Sequence, residues 1–450
     1  MKKNILLLTL IIVICSREIQ AQEKKWTLED CITYAVANNL TLQRQRLQTE
    51  TAQTNLTKAK LDILPSLNLG SDANFGFGRS VNPVDNTITF EQNFSNSYYL
   101  SSSFNLFNGF VSVNTISADK FMLKAGLETE KVIRNRLIAD ILGQYYQVLY
   151  AKGLEDASKM QLDLSEKQLF RISKMVETGK EALSRQYEIE SRVSADRLTY
   201  IVSQNTSNQA ITTLKQMLQL QPGTYFDILM PDLNNIFITD FNYDTDSIYD
   251  IASQVLPRLK AIEYELSATK KQFAASKGYI APRLRAGGSV FTGYYNVLSG
   301  SDLTQDSYQT QLKNNNSQSL YLNLEIPLFN NYATGRNIKL AKIRRDDAAL
   351  RLELEKNNLY TEIENACLNF NRGKGEYAAA VANFEYNRKS FSAVEKKFES
   401  GLVDVTDYSA AKTTLFTAET EALRTRLQLL VRKLALQLYS TGEYETIIMN

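Results

Sequence analysis

Residues 320–328 read Leu-Tyr-Leu-Asn-Leu-Glu-Ile-Pro-Leu, so that a large aliphatic residue occupies every second position. A period of two predicts a β-strand with one apolar and one polar face. Segments 67–77, 100–106 and 284–294 alternate in the same way, so we expect four strands of this kind. A half-buried soluble sheet alternates like a membrane barrel, and alternation alone favours the soluble sheet.

Very long helices are predicted after each pair of strands. Residues 111–177 and 332–399 contain no proline, and their apolar residues recur at spacings of three and four. A helix of this length extends about 100 Å at 1.5 Å per residue, which is far beyond a globular helix. Coiled-coil packing is the simplest interpretation, with charged residues on a solvated face.

The chain contains an internal duplication. Four pairs of segments match in register, two at an offset of 217 residues and two at 222: residues 39–42 with 256–259, 59–65 with 276–282, 106–108 with 328–330, and 177–179 with 399–401. Two offsets, each holding over its own stretch, indicate one ancestral unit copied once. The difference of five residues between the offsets lies around residues 70–105.

Each repeat therefore has the order helix, two strands, long helix, glycine turn, helix. We predict opening helices over Leu28–Leu61 and Ser247–Lys277, followed by Pro65 and Pro282 as stops. Gly179 and Gly401 are predicted to end the long helices in a left-handed conformation. The remaining predicted elements are the closing helices Leu183–Leu220 and Val405–Leu438, and the polar, solvent-facing loops 79–97 and 296–318.

The start of the chain has the features of a secretory signal peptide. Lys2 and Lys3 precede an apolar run from Ile5 to Cys15, and Ala21 is a small residue at the expected cut. The apolar run is too short for a membrane helix, which needs about 20 residues. No other apolar run approaches that length, so an exported protein is expected, either soluble or crossing an outer membrane as a β-barrel.

Composition argues against several functional classes. The chain has 450 residues and no histidine, which excludes Ser-His-Asp and Cys-His catalysis and histidine-ligated metals. It has neither a phosphate-binding P-loop nor a nucleophile elbow. Without residues 1–21 the chain is formally neutral, so electrostatics gives no reason to expect nucleic-acid binding. We expect no enzyme, no cofactor and no metal site.

Two cysteines, Cys31 and Cys367, remain after removal of the signal peptide. They could pair, but two isolated thiols in apolar surroundings are the simpler interpretation. Two cysteines are too few for a disulfide scaffold.

One segment connects this layout to a known family. Residues 398–407 read Phe-Glu-Ser-Gly-Leu-Val-Asp-Val-Thr-Asp, and Thr-Thr-Leu-Phe-Thr-Ala follows at 413–418. This segment resembles the second helical tip of the TolC-like outer-membrane efflux proteins, in which glycine, a short spacer and aspartate precede a helix rich in Ala and Thr. The resemblance covers roughly residues 26–440. The first tip departs from it, because Arg185 stands six residues after Gly179, where Asp407 stands six after Gly401.

The resemblance implies an α+β membrane protein with a TolC-like α-helical periplasmic barrel of long coiled-coil helices. Four β-strands per protomer would contribute to a shared 12-stranded β-barrel in a homotrimer. The implied function is an outer-membrane exit duct of a tripartite efflux or type I secretion system in a Gram-negative bacterium. Its partners would be a periplasmic adaptor, an inner-membrane pump and outer-membrane lipid. The alternatives are an exported coiled-coil structural or adhesive surface protein and a periplasmic enzyme, for which no carboxylate pair has a distinguishing spacing.

The domain organisation follows from the duplication. We assign residues 1–21 to the signal peptide, 22–220 to the first efflux repeat, 221–246 to a connector and 247–450 to the second repeat.

Candidate functional residues lie on the strands and at the tips. Lipid-facing positions in the barrel are expected at Leu320, Leu322, Leu324 and Ile326, and lumen-facing positions at Asp72, Arg285, Asn323 and Glu325. The tip turns Gly179 and Gly401, with Leu402, are expected to contact the adaptor. Candidate gate residues are Asp404, Asp407, Arg185, Lys180 and Glu181.

Asp407 matches a position at which the family carries a constricting aspartate. Asp404 has a competing role as a helix cap, since aspartate commonly precedes a helix.

Overall fold

A computed structural model describes residues 25–81, 86, 88–230, 244–298 and 306–444. The predicted signal peptide, the connector residues 231–243 and the loop residues 299–305 lie outside the described residues. The described chain contains nine helices and four strands: α1 (Leu28–Asn38), α2 (Leu40–Leu61), β1 (Ser66–Val81), β2 (Ile88–Phe107), α3 (Val111–Glu177), α4 (Leu183–Met217), α5 (Thr245–Val255), α6 (Pro257–Gly278), β3 (Arg283–Val297), α7 (Tyr308–Asn314), β4 (Ser317–Glu325), α8 (Ala333–Glu399) and α9 (Val405–Thr441).

The chain divides into two compact units. The sheet unit consists of Gln45–Glu130 and Arg258–Lys356, and contains all four strands with the helix segments that join them. The helical unit contains the chain up to Arg44, Lys131–Pro257 and the chain from Asn357 onward.

The two very long helices are confirmed. Helices α3 and α8 each contain 67 residues, and the predicted bounds differ from the observed ones by one residue at most. All four predicted strands are also present, and the duplicated order of elements is confirmed.

The prediction of one continuous opening helix in each repeat was wrong. The chain breaks at Asn39 between α1 and α2 and at Leu256 between α5 and α6, with nearly identical backbone angles (φ −65°, ψ 122° and φ −66°, ψ 124°). The two breaks lie 217 residues apart, at equivalent repeat positions. In the first repeat, the Asn39 side chain accepts a hydrogen bond from the Leu42 backbone N–H at 3.1 Å. In the second, Pro257 opens α6 at a position where its missing N–H costs nothing.

The predicted loops were too long. Strand β1 continues to Val81 and β2 begins at Ile88, so most of 79–97 is strand. The other predicted loop, 296–318, contains helix α7. Helix α7 covers the part of β3 that extends beyond β4: the Gln311 side chain accepts from the Tyr295 N–H and donates to the Tyr295 carbonyl, both at 3.0 Å. These bonds satisfy backbone groups that a neighbouring strand would otherwise pair.

The sheet has the order β1-β2-β3-β4, and all neighbouring strands are antiparallel. Two close approaches recur in both repeats. A Cβ on Gly70 would lie 2.3 Å from the Tyr99 ring, and a Cβ on Gly287 would lie 2.4 Å from the Tyr321 ring. The two glycine–tyrosine pairs occupy equivalent repeat positions, at the same offsets of 217 and 222 residues. Each tyrosine ring covers the surface that the missing side chain leaves open.

The transition from strand to long helix is also duplicated. Gly109 and Phe110 before α3 have φ of +66° and +62°, and Asn331 and Tyr332 before α8 have φ of +51° and +64°. A left-handed aromatic residue costs about 1–2 kcal/mol relative to the right-handed region. Its presence at the same position in both copies indicates that the sharp turn into the helix requires it.

The core of the helical unit joins helices from both repeats. Ile141, Tyr145 and Val148 of α3 pack with Leu427 and Leu430 of α9. The same cluster includes Cys31, and burial raises the pKa of its thiol to about 12. Cys31 and Cys367 are both free and buried, which confirms the interpretation as isolated apolar thiols.

Candidate functional site at the helical tips and the strand faces

The two tip turns are built in the same way. Gly179 has φ +71° and Gly401 has φ +75°, as predicted. Gly179 N–H donates to the Val176 carbonyl at 3.0 Å, and Lys180 N–H to the Met175 carbonyl at 2.8 Å. The corresponding bonds of Gly401 to Phe398 and Leu402 to Lys397 measure 3.0 and 2.9 Å. These two bonds form the Schellman motif, which satisfies the last carbonyls of a helix.

The helices that leave the tips start differently in the two repeats. Asp404 caps α9, and its carboxylate accepts a hydrogen bond from the Asp407 N–H at 2.9 Å. Helix α4 begins after Ala182, which provides no side-chain cap. The exposed Asp407 carboxylate lies in the first turn of α9, where the partial positive charge of the helix end stabilises an anion.

The basic residue predicted to face these aspartates has another partner. The Arg185 Nη1 lies 3.8 Å from the Glu188 Oε2 on the same helix. Glu188 Oε1 also accepts a hydrogen bond at 2.9 Å from the Thr406 hydroxyl of α9. Among the described residues, the contact between the two tips therefore runs through Glu188, and Arg185 makes no ion pair with Asp404 or Asp407. The sequence analysis did not identify Glu188.

An apolar cluster supports the tips. Phe398 stacks on Tyr408 with ring centroids 4.5 Å apart, and Val405 and Ile189 are buried beside them. Burial raises the pKa of the Tyr408 phenol to about 12. The cluster holds the first turns of α4 and α9 together.

A buried ion pair lies deeper in these helices, and the sequence analysis missed it. Lys412 Nζ lies 3.0 Å from Asp196 Oδ2, and also donates at 2.6 Å to the Gln161 carbonyl and to the Ser165 hydroxyl. The side chains of Lys412 and Asp196 are only 6% and 3% exposed. The pair links α4 of the first repeat to α9 of the second, with α3 supplying the other partners.

The surroundings determine the protonation of this pair. Burial opposes ionisation of Asp196, but hydrogen bonds from Ser165, Gln161 and Lys412 outweigh it and lower the pKa of the carboxyl. Burial lowers the pKa of the Lys412 ammonium, against the opposing effect of Asp196. One sequence signal for the site was present: Lys412 follows Val405 and Tyr408 at helical spacing, so it lies on the buried face of α9.

The strand register groups the predicted barrel residues by face. Arg285 lies opposite Asn323 and opposite Asn105, and Glu325 lies opposite Arg283. Counting along β2 from Asn105 to Ser97, the partner of Asp72, places Asp72 on this same polar face. The opposite face carries Leu320, Leu322 and Leu324, which pair with Gly288, Ala286 and Leu284.

One predicted strand residue lies outside the strand. Strand β4 ends at Glu325, so Ile326 belongs to the segment that leads into α8. Pro327 follows directly and cannot donate to a strand ladder, which explains the early end of β4.

The apolar face carries aromatic residues at both ends. At the end joined by loops, Phe75 contacts Phe94 at 4.7 Å, and Tyr294 contacts Tyr308 at 4.8 Å between centroids. At the end joined to helices, Phe107 lies on this face and contacts Phe110 at 5.5 Å.

Within the described ranges, no helix has both the length and the apolar character to cross a membrane. Among the same residues, no group of three or more His, Cys, Asp or Glu side chains is arranged to hold a metal ion.

The sequence profile of the outer membrane efflux proteins matches residues 31–219 and again residues 248–442. The chain belongs to the outer membrane efflux protein family. The duplicated match agrees with the repeated fold described above, and the TolC-like fold class is confirmed. No curated protein matches the sequence significantly.

Solved structures of outer-membrane channels share the fold. The CmeC outer membrane channel of Campylobacter jejuni has a TM-score of 0.79 and 14% identity, covering 94% of this chain and 88% of that chain. VceC of Vibrio cholerae has a TM-score of 0.75 and 13% identity, covering 93% and 96%. MtrE of Neisseria gonorrhoeae, solved in an open state, has a TM-score of 0.73 and 16% identity, covering 93% and 89%.

Membership in the efflux family settles the general function. The protein is an outer-membrane channel of Gram-negative bacteria with a large periplasmic helical portion, and it serves as an exit duct in tripartite efflux. The family consists of channels rather than enzymes, and its members act as trimers with an adaptor and an inner-membrane pump. The alternative of a coiled-coil adhesive protein is not supported.

Proposed function

We propose that three copies of this chain join their four-stranded sheets into one 12-stranded barrel. The observation that carries the proposal is the open sheet, which has β1 and β4 as its two edges. In lipid, an unpaired strand edge leaves backbone groups without partners at several kcal/mol each. Pairing β4 of one protomer with β1 of the next would satisfy both edges, and twelve is an even strand number within the range of outer-membrane barrels.

The faces of the sheet support an orientation in this barrel. We assign Leu320, Leu322 and Leu324 to lipid, with Ile326 just below them, and Asp72, Arg285, Asn323 and Glu325 to the lumen. Aromatic residues at both ends of the leucine face are typical of the two interfaces of a membrane barrel. The polar face would line a water-filled channel.

The helical tips are the proposed entrance. Gly179, Gly401 and Leu402 form short exposed turns at which a periplasmic adaptor can dock and pass on substrate from an inner-membrane pump. The support for docking comes from the family, because a glycine that ends a helix needs no partner. Residues 22–220 and 247–450 would each contribute one tip.

We further assign the idle-state closure to the tips. Three copies of Asp407 near a three-fold axis would repel one another unless cations or basic neighbours compensate them. Arg185, Lys180 and Glu181 are candidate partners across the protomer boundary. Asp404 could add to the ring, although its carboxylate already caps α9.

The assembly can be tested directly on the purified, membrane-extracted protein. We expect an oligomer that migrates as a trimer before heating and as a 51.0 kDa chain afterwards, and that conducts ions in planar bilayers. A monomer that inserts no channels would contradict the proposal.

A further inference from the structure

The sheet unit contains a group of cations and aromatic rings beside the helix end of β3. Lys277 Nζ lies 4.3 Å from the centre of the Phe273 ring, and the Arg345 guanidinium carbon lies 4.8 Å from the same ring. The Arg283 guanidinium carbon lies 5.1 Å from the Tyr279 ring centre. We call these five residues the cationic–aromatic cluster.

The cluster has spare positive charge. Among the described residues, Lys277 and Arg283 make no ion pair, and their cation–π contacts leave the charges available. Arg345 is paired with Asp346. One helical turn before Arg345, the exposed Lys342 lies on the same side of α8. The first turns of α8, residues 333–347, carry five basic and two acidic residues, so this part of the sheet unit is positively charged.

The cluster lies directly beside the apolar face of the sheet. Arg283 is the first residue of β3, and Leu284, the next residue, pairs with Leu324 on the leucine face. Phe273 and Lys277 lie in the last turns of α6, which ends at Gly278. All four strands join helices at this end of the sheet, so this is the periplasmic end of the barrel.

We propose that the cationic–aromatic cluster binds the headgroup of an anionic phospholipid in the periplasmic leaflet of the outer membrane. The inference rests on the membrane placement of the strands and goes beyond the channel function. A phosphodiester without a compensating amine matches unpaired Lys and Arg at the edge of an apolar surface. The aliphatic stems of both side chains can lie against the rings while their charges reach the headgroup layer. The occupant is therefore a lipid such as phosphatidylglycerol, which also covers the adjacent leucine face.

The first repeat provides an internal comparison. At the equivalent positions it carries Leu56, Lys60, Asp62 and Ser66, so the rings and the second cation are absent. Asp62 forms an ion pair with Lys58 instead. The duplication therefore placed the same backbone at both sites, and only the second repeat has the binding chemistry.

The test compares two charge-matched variants of the full-length channel. Wild type and variants are purified in detergent, and retention of added phosphatidylglycerol against phosphatidylethanolamine is measured by native mass spectrometry. We expect Lys277→Gln/Arg283→Gln to lower the preference for phosphatidylglycerol by about 30-fold, at roughly five-fold for each basic residue near an anionic surface. Lys60→Gln/Lys120→Gln removes the same charge from the first repeat and is expected to retain the preference.

A further variant separates the rings from the charge. Phe273→Leu/Tyr279→Leu keeps every cation, and we expect it to weaken the preference for phosphatidylglycerol as well. Heat-modifiable migration of each variant checks that the channel still assembles. Equal losses in the two charge variants, equal retention of both lipids by wild type, or displacement of the lipid by millimolar inorganic phosphate would overturn the proposal.

Discussion

At the scale of single residues, polarity alternates along β4 in a way that can be tested position by position. Leu322 and Asn323 are neighbours in the chain but lie on opposite faces of the sheet. Both are exposed in a single chain, so burial does not distinguish them, and only the environment in the membrane does.

We expect cysteine at position 322 to react with a lipid-soluble probe and cysteine at position 323 with a water-soluble one. Leu322→Arg near the bilayer midplane should destabilise the barrel by about 2–4 kcal/mol, and Asn323→Arg by much less. Labelling in outer-membrane vesicles and heat-modifiable migration measure the two effects. The opposite labelling pattern would show that the register is wrong.

Asp407 is the second residue-scale case, because its carboxylate lies in the first helical turn without an ion-pair partner among the described residues. A ring of three such carboxylates predicts cation selectivity and block by divalent cations from the periplasmic side. Asp407→Asn should weaken both effects in planar bilayers while the trimer persists. Asp404→Asn is the matched control, since asparagine caps a helix nearly as well as aspartate. Unchanged selectivity and block in Asp407→Asn would remove Asp407 from the gate.

At the scale of elements, the helices near the tips are tied together by one buried ion pair. Lys412 of α9 and Asp196 of α4 lie 216 residues apart in sequence. Breaking a buried pair leaves one uncompensated charge, which costs far more than the loss of a surface pair.

We therefore expect Asp196→Asn to destabilise the helical unit by about 3–5 kcal/mol. Arg197 and Glu166 join the same two helices at the surface, 2.7 Å apart, so Arg197→Gln is the control and should cost about 1 kcal/mol or less. Replacing both buried charges, as in Asp196→Leu/Lys412→Met, should recover most of the loss. Thermal unfolding followed by the helical circular dichroism signal compares the three variants. A loss in Asp196→Asn no larger than that in Arg197→Gln would contradict this role.

The same pair gives a dependence on pH. The folded state lowers the pKa of Asp196, so its contribution to stability is fully present above the pKa of the unfolded chain, about 3.9. The contribution is lost as the pH falls through the lower folded value. The difference in stability between wild type and Asp196→Asn should therefore shrink below about pH 4.

At the scale of the whole molecule, the working channel depends on partners at the helical tips. Photo-crosslinking residues at Lys180 and Leu402 should capture the periplasmic adaptor in cells, because these positions flank the exposed turns. Positions beside Pro65 and Pro282, at the junction of helices and strands, are the controls. Capture from the control positions alone would place the docking site elsewhere.

The order of elements was predictable because it depends on local periodicity. A period of two marks β1 to β4, a proline-free helical period marks α3 and α8, and Gly179 and Gly401 mark the turns. The breaks at Asn39 and Leu256 were missed although Asn39 and Pro257 are local signals, because the apolar pattern continues across both breaks. Helix α7 has only seven residues, and its bonds to β3 stabilise it more than its own sequence does.

The sequence by itself determined the duplicated layout and the two faces of each strand, since the spacing of neighbouring residues sets the period and the direction of each side chain. Only the tertiary structure decided which distant side chains meet. The Asp196–Lys412 pair, the bond from Thr406 to Glu188 and the cation–π contact of Arg345 with Phe273 all join different helices. Such contacts depend on how helices pack, and no local pattern specifies the partner of a charge that lies on another element.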